Sequence, residues 1–245
     1  MTGLQTGVAG GATPPLLAAV ALALVHVLGG GARVVTGGWT RRSMSAAGGA
    51  SVAYVFVLLL PEVSEAALAF GTLRGETLLA EQAVYLAALA GFVAFYGVEV
   101  GVGWGGDRIA DSPAVFRSHL LLFTVYSAVI AFLLGHQEVP GARNLVFYTL
   151  AMALHFLITD HGLRRHHGAE FDRTGRWLLA LGTLAGGVVG VAADVAVVGV
   201  TVVFGFVAGA VVLNVLKEEL PGADEGRFVA FALGALAFAA LVLAT

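Results

Sequence analysis

Between Ala153 and Asp172 the chain reads ALHFLITDHGLRRHHGAEFD, which gathers four of its seven histidines with five formally charged side chains. Neutral imidazole suits Zn, Cu, Fe or Ni, and a nearby carboxylate offsets the ion's charge. His155 and Asp160 are therefore the leading candidate metal ligands, with His119 and Glu218 as further candidates along the same route. The five-residue step from His155 to Asp160 turns roughly 140° on an ideal helix. Sharing one ion would require a broken helix end or ligands from other helices. Two plainer roles compete with ligation: His155 as an interhelical hydrogen-bond partner and Asp160 as a solvated carboxylate ending a helix. His161, His166 and His167 read as a surface connection bent at Gly162, whose histidines could capture or release a soft cation.

The elements that must hold these residues are set by composition. The chain of 245 residues is 58% hydrophobic and 12% charged, with mean hydropathy +0.90, which is too poor in charge for a soluble surface. The absence of cysteine excludes disulfides, thiolate metal sites and cysteine nucleophiles. The first thirteen residues carry no Lys or Arg, so the first apolar segment is expected to be a retained span rather than a cleaved signal.

A span needs about 20 mostly apolar residues. Eight are expected: Pro15 to Gly31, Ser43 to Leu60, Leu78 to Gly97, Val115 to Gly135, Leu145 to Thr159, Trp177 to Ala193, Val195 to Leu216, and Phe228 to Leu243. The spacing predicts an all-α polytopic membrane protein formed by one domain over residues 1–245. The segments are continuously apolar rather than alternating, which disfavours a β-barrel. A tight turn is expected near Asp194, the one charged residue between Trp177 and Leu216.

Charge sorting predicts orientation. The odd-numbered connections hold Arg33, Arg41, Arg42, Arg108, Arg117, Arg164, Arg165, Arg173, Arg176, Lys217 and Arg227, whereas the even-numbered ones hold only Arg74 and Arg143. Eleven against two puts the odd connections in the cytoplasm and both termini outside, in an inner (plasma) membrane.

An internal repeat is also visible. Ser45 to Pro61 (SAAGGASVAYVFVLLLP) lies over Gly205 to Pro221 (GFVAGAVVLNVLKEELP), pairing Gly49 with Gly209, Val55 with Val215 and Pro61 with Pro221. Because the two spans run in opposite directions, this would be an inverted repeat. It would relate residues 15–99 to 177–243 around central helices at 115–159, the 3+2+3 arrangement of many secondary transporters.

Within the central pair, Tyr148, Met152, His155 and Thr159 share one face of span five, and His119 and Tyr126 align on span four. His26 and Asn214 lie at comparable depth, where polar groups mark a pathway or a packing hydrogen bond. Glu62 and Glu65, placed after span two, could join His136 and Glu138 in an acidic outer entrance. The glycines from Leu178 to Gly190 are expected to permit close helix approach.

These features resemble the ZIP family of divalent-metal transporters, in overall topology and in the stretches Gly48 to Glu62 (GGASVAYVFVLLLPE) and Phe206 to Pro221 (FVAGAVVLNVLKEELP). The resemblance implies eight spans with both termini outside and transport-site ligands on spans four and five. In place of the family's HNxxD or HNxxE and HExxH patterns, span four reads HLLLFTVYSAVIAFLLGH and span five reads LVFYTLAMALHFLITDH. The expected function is transport of Zn or another divalent transition metal, with no covalent cofactor and no enzymatic activity. Expected partners are a small inorganic cation, the lipid bilayer and a second copy of the chain as a homodimer, with no nucleic acid. Two other readings stay open: a non-transporting membrane scaffold, and a b-type haem protein drawing paired ligands from His26, His119, His136 and His155.

Overall fold

A computed structural model describes residues 11–29, 41–73, 78–103, 113–137, 141–220 and 228–244. These form eight helices: α1 (Thr13–Gly29), α2 (41–73), α3 (Leu78–Gly103), α4 (Pro113–Leu133), α5 (Ala142–Glu170), α6 (Arg176–Ala192), α7 (197–219) and α8 (Phe228–Leu243). Six are long and apolar enough to cross a membrane, while α1 and α8 are shorter apolar helices. Large apolar side chains cover the outside, among them Leu17, Leu86, Leu121, Val146, Leu181 and Phe228. Water would penalise such a surface and hydrocarbon does not. The protein is an all-α integral membrane protein.

Glycine sets the closest helix crossings. On α2 and α8, a methyl group at Gly49 would strike the Phe231 carbonyl, and one at Gly234 the Ala46 carbonyl. On α3 and α7, Gly91 meets Phe206 while Gly209 meets Ala88. Gly186 and Gly190 of α6 likewise lie on the backbone of α4 at Ala128 and Phe132, as expected for the glycines of that segment. Without a hydrophobic force between helices in lipid, such backbone proximity supplies van der Waals attraction. The remaining principal packings are α1 on α5 and α6.

Three π-turns interrupt the helices. The first, Val55–Leu59, lies inside α2, where the Leu60 amide reaches back five residues to the Val55 carbonyl. Pro61 lacks an amide hydrogen and its ring crowds the carbonyl four residues earlier, so the wider turn just before it relieves the conflict. The second, Phe171–Gly175, leads into α6, and the third, Val215–Glu219, ends α7.

Several sequence expectations need correction. Span two does not stop at Leu60 but continues through Pro61 to Leu73, because the π-turn absorbs the proline. Glu62 and Glu65 are therefore helical. The chain does not bend at Gly162 either: α5 runs on to Glu170, and its backbone breaks at Gly168 (φ 49°, ψ −121°), a conformation natural only to glycine. The turn expected near Asp194 is present between Ala192 and Val197, but Ala196, not Asp194, occupies the cap position of α7. Arg33, Arg74, Arg108, Arg227, Gly31, Glu138 and Pro221 lie outside the described residues, as do the first ten residues.

Candidate functional site

The buried face of α1 runs through Ala19, Leu22, Ala23 and His26, in steps of three and one that keep them on one side. His26 is the only ionisable residue of that helix. Opposite it, α5 buries two adjacent stripes. One carries Tyr148, Met152, His155 and Thr159, the other Phe156, Asp160 and Leu163. The 140° between His155 and Asp160 thus sends them to different neighbours.

Asp160 meets His26. The imidazole Nδ1 lies 3.0 Å from Oδ1 and 2.9 Å from Oδ2 of the carboxylate. Both residues are sealed, with relative exposures of 1% for His26 and 0% for Asp160. The plainer alternative of a solvated terminal carboxylate fails, since the helix continues ten residues beyond Asp160. Phe156 stacks on the His26 ring at 4.5 Å and 27°, fixing its plane. The carboxylate draws the imidazole proton to Nδ1, which donates to it. In the neutral ring Nε2 then carries the lone pair, buried and without a hydrogen-bond partner among the described residues. A carboxylate orienting an imidazole through Nδ1 while Nε2 stays available is the usual support of a metal-ligating histidine. It equally suits a proton acceptor.

His155 meets Tyr126 of α4, its Nε2 and the phenol hydroxyl sharing a hydrogen bond of 3.0 Å. Phe95 and Phe123 flank the tyrosine ring. This is the interhelical hydrogen bond that span five's polar face suggested, and it engages the nitrogen that a metal would need. Towards the start of α5, the Tyr148 hydroxyl donates to the Ile130 carbonyl at 3.0 Å, and the Asn144 amide donates to Glu62 at 2.8 Å. Glu62 thus joins α2 to α5 rather than lining a loop. Asn144, Tyr148, His155 and Asp160 make α5 a file of polar contacts that draws partners from α1, α2 and α4.

At the far end of α5, His167 approaches His119 of α4, with Nε2 and Nδ1 3.4 Å apart. Phe116 lies against the His167 ring at 4.9 Å, and Arg164 binds Asp172 at 2.9 Å. The sequence candidates therefore divide into separate contacts instead of one centre. Among the described residues no group of three or more His, Asp or Glu could hold a metal ion together. The side chains of Glu218 and His166 lie outside the described residues. For the haem reading, His119 and His167 are the one histidine pair whose rings meet among the described residues, and their direct contact leaves no room for a macrocycle between them.

His26 does not stand out by spacing, because a lone histidine on an apolar helix resembles a packing residue. Its signal was its isolation: an ionisable group inside a span is costly and needs a partner. That partner sits 134 residues away, beyond the reach of any local pattern. No protein-family model matches this chain, and no curated protein matches it.

Proposed function

We propose that this protein is a transporter of divalent transition-metal cations, ZIP-like in architecture but with a different ion-binding centre built on His26 and Asp160. The observation that carries this reading is the sealed His26–Asp160 contact at 2.9 Å, which leaves the imidazole Nε2 buried and without a hydrogen-bond partner among the described residues. Burying an ionisable pair within lipid-spanning helices is expensive and marks ion pathways and relays. Nε2 would serve as the ligand atom, favouring Zn or its borderline neighbours over Mg or Ca. Asp160 would hold the ring and offset the ion's charge. With so few protein donors, the cation would keep water in its remaining positions, which suits passage better than permanent binding. His155 and Tyr126 would line the route, with His119 nearer its cytoplasmic mouth.

The inverted repeat is part of this proposal. The π-turns of α2 and α7 begin at Val55 and Val215, the residues that the sequence repeat pairs. Gly49 and Gly209, also paired, each form a closest crossing, α2 with α8 and α3 with α7. Under a 3+2+3 inverted repeat these two crossings would exchange with one another. Such repeats support alternating access around a site between them.

Uptake of zinc into sealed proteoliposomes tests the reading. Wild-type protein is expected to accumulate zinc above empty liposomes, with H26Q and D160N each slowing uptake at least tenfold while remaining monodisperse. Wild-type uptake at the empty-liposome level, or undiminished uptake by H26Q, would reject it.

A further inference from the structure

We infer that His119 and His167 form a second metal site, a two-imidazole clamp for a borderline divalent cation at the end of the bundle carrying the α5–α6 junction. The inference stands whether or not the protein transports, because it concerns binding by a separate pair of side chains.

The two imidazoles come from different elements, His119 from the second turn of α4 and His167 from the last turn of α5. Their facing nitrogens lie 3.4 Å apart. That is long for a hydrogen bond, whose usual range ends near 3.2 Å, so a shared proton accounts poorly for their approach. It is close to the bite of a tetrahedral ion: two nitrogens about 2.05 Å from a metal, at a tetrahedral angle, stand roughly 3.3 Å apart. The rings meet nearly head-on, with centroids 5.6 Å apart and planes at 68°. A modest tilt of each about its Cβ–Cγ bond would aim both lone pairs at one point. The nitrogen separation already suits the ion.

The surroundings hold the pair in place. Phe116, one turn before His119, packs against the His167 ring. The backbone break at Gly168 follows His167 at once and kinks the helix that presents it. Both histidines are only partly buried, so the remaining coordination positions can be filled by water. Two arginines on the same segment would repel a cation, but Arg164 is neutralised by Asp172. Arg165 is exposed and sits about 200° around the helix from His167. The ligand class follows from the donors: two neutral nitrogens and no thiolate select Zn, Ni or Cu(II) over hard cations.

Cu(II) added below one equivalent to the full-length protein in detergent provides the test. The chain contains no cysteine, so sulfur ligation cannot obscure the signal. Wild-type protein is expected to show the electron paramagnetic resonance splitting of two equatorial nitrogens. H119Q and H167Q should each lose that pattern and bind at least tenfold more weakly, while H26Q and H161Q keep it. H167C should restore tight zinc binding, since a thiolate can replace the lost nitrogen. As a measurement independent of the spectrum, zinc should raise the thermal unfolding temperature of wild type but not of H167Q. Copper binding of equal affinity and unchanged nitrogen count in H119Q and H167Q would overturn the clamp. Loss of the two-nitrogen pattern in H26Q, with H167Q unaffected, would assign the copper to the central pair and overturn it equally.

Discussion

Asp160 and His167 lie seven residues apart on α5, about two turns, and therefore on nearly the same side of the helix. Each meets a histidine from another helix, His26 for one and His119 for the other. The first contact is dry and pairs an acid with a base; the second is half-wet and pairs two bases. Burial raises the stakes of the first, because an ionisable group without its partner cannot turn to water. Partial exposure lowers the stakes of the second, where neither residue is sealed. One helix thus carries one contact sealed from water and one that is only partly covered.

The largest expected effect breaks the dry pair. Asp160→Ala strands the His26 Nδ1–H in the bundle, and losing a buried hydrogen bond to a charged group costs about 1.5–3 kcal/mol. Thermal unfolding in detergent should register that loss together with the loss of zinc uptake. Replacing both residues with leucine separates the two consequences. Well-packed apolar side chains often match or exceed the stability of a buried pair. H26L/D160L should therefore recover most of the stability and none of the transport. A double variant as unstable as Asp160→Ala would mean that the pair is not isolated from its surroundings.

Tyr126→Phe is expected to fall next. It removes the hydroxyl bonded to the His155 imidazole, a buried hydrogen bond whose loss costs about 1–3 kcal/mol. If α5 is a continuous polar route, uptake should slow by less than in D160N. Uptake wholly unaffected by Tyr126→Phe would confine the route to His26 and Asp160.

These contacts were unevenly legible in the sequence. Eight apolar segments matched eight helices, six of them long and apolar enough to cross a membrane, because an apolar run in lipid must satisfy its own backbone, and that demand is written locally in composition. The tyrosine and histidine face of α5 was legible for the same reason, since helical spacing is a local property. The ends were harder. Pro61 suggested a stop, yet a π-turn carried α2 past it; Gly162 suggested a bend, yet an unstrained glycine can remain helical while Gly168 takes the break. Partner choice was hidden altogether. His26 finds Asp160, and Asn144 finds Glu62, only because the packing of α1, α2 and α5 brings distant positions together.

Gly168→Ala addresses how the wet pair is held. No atom lies within 4 Å of where the added methyl would sit, so its cost is torsional rather than steric. A side chain at that φ is strained by about 1–2 kcal/mol. Relieving the strain would shift the end of α5 and move His167 away from His119. The expected signature is weakened copper binding with zinc uptake close to wild type, measured on the same preparation. Equal losses in both would couple the two regions that the comparison separates.

The smallest effect is expected from His167→Gln without metal. The nitrogens stand too far apart for a strong hydrogen bond, and a half-buried glutamine can satisfy itself with water, so stability should change by no more than about 0.5 kcal/mol. Chelator-treated wild type and H167Q should therefore unfold at nearly the same temperature. Added zinc should then divide them, because only the wild type offers two nitrogens at a tetrahedral bite. A large difference before metal is added would make His167 structural, and the contrast with Asp160 would lose its basis in solvent exposure.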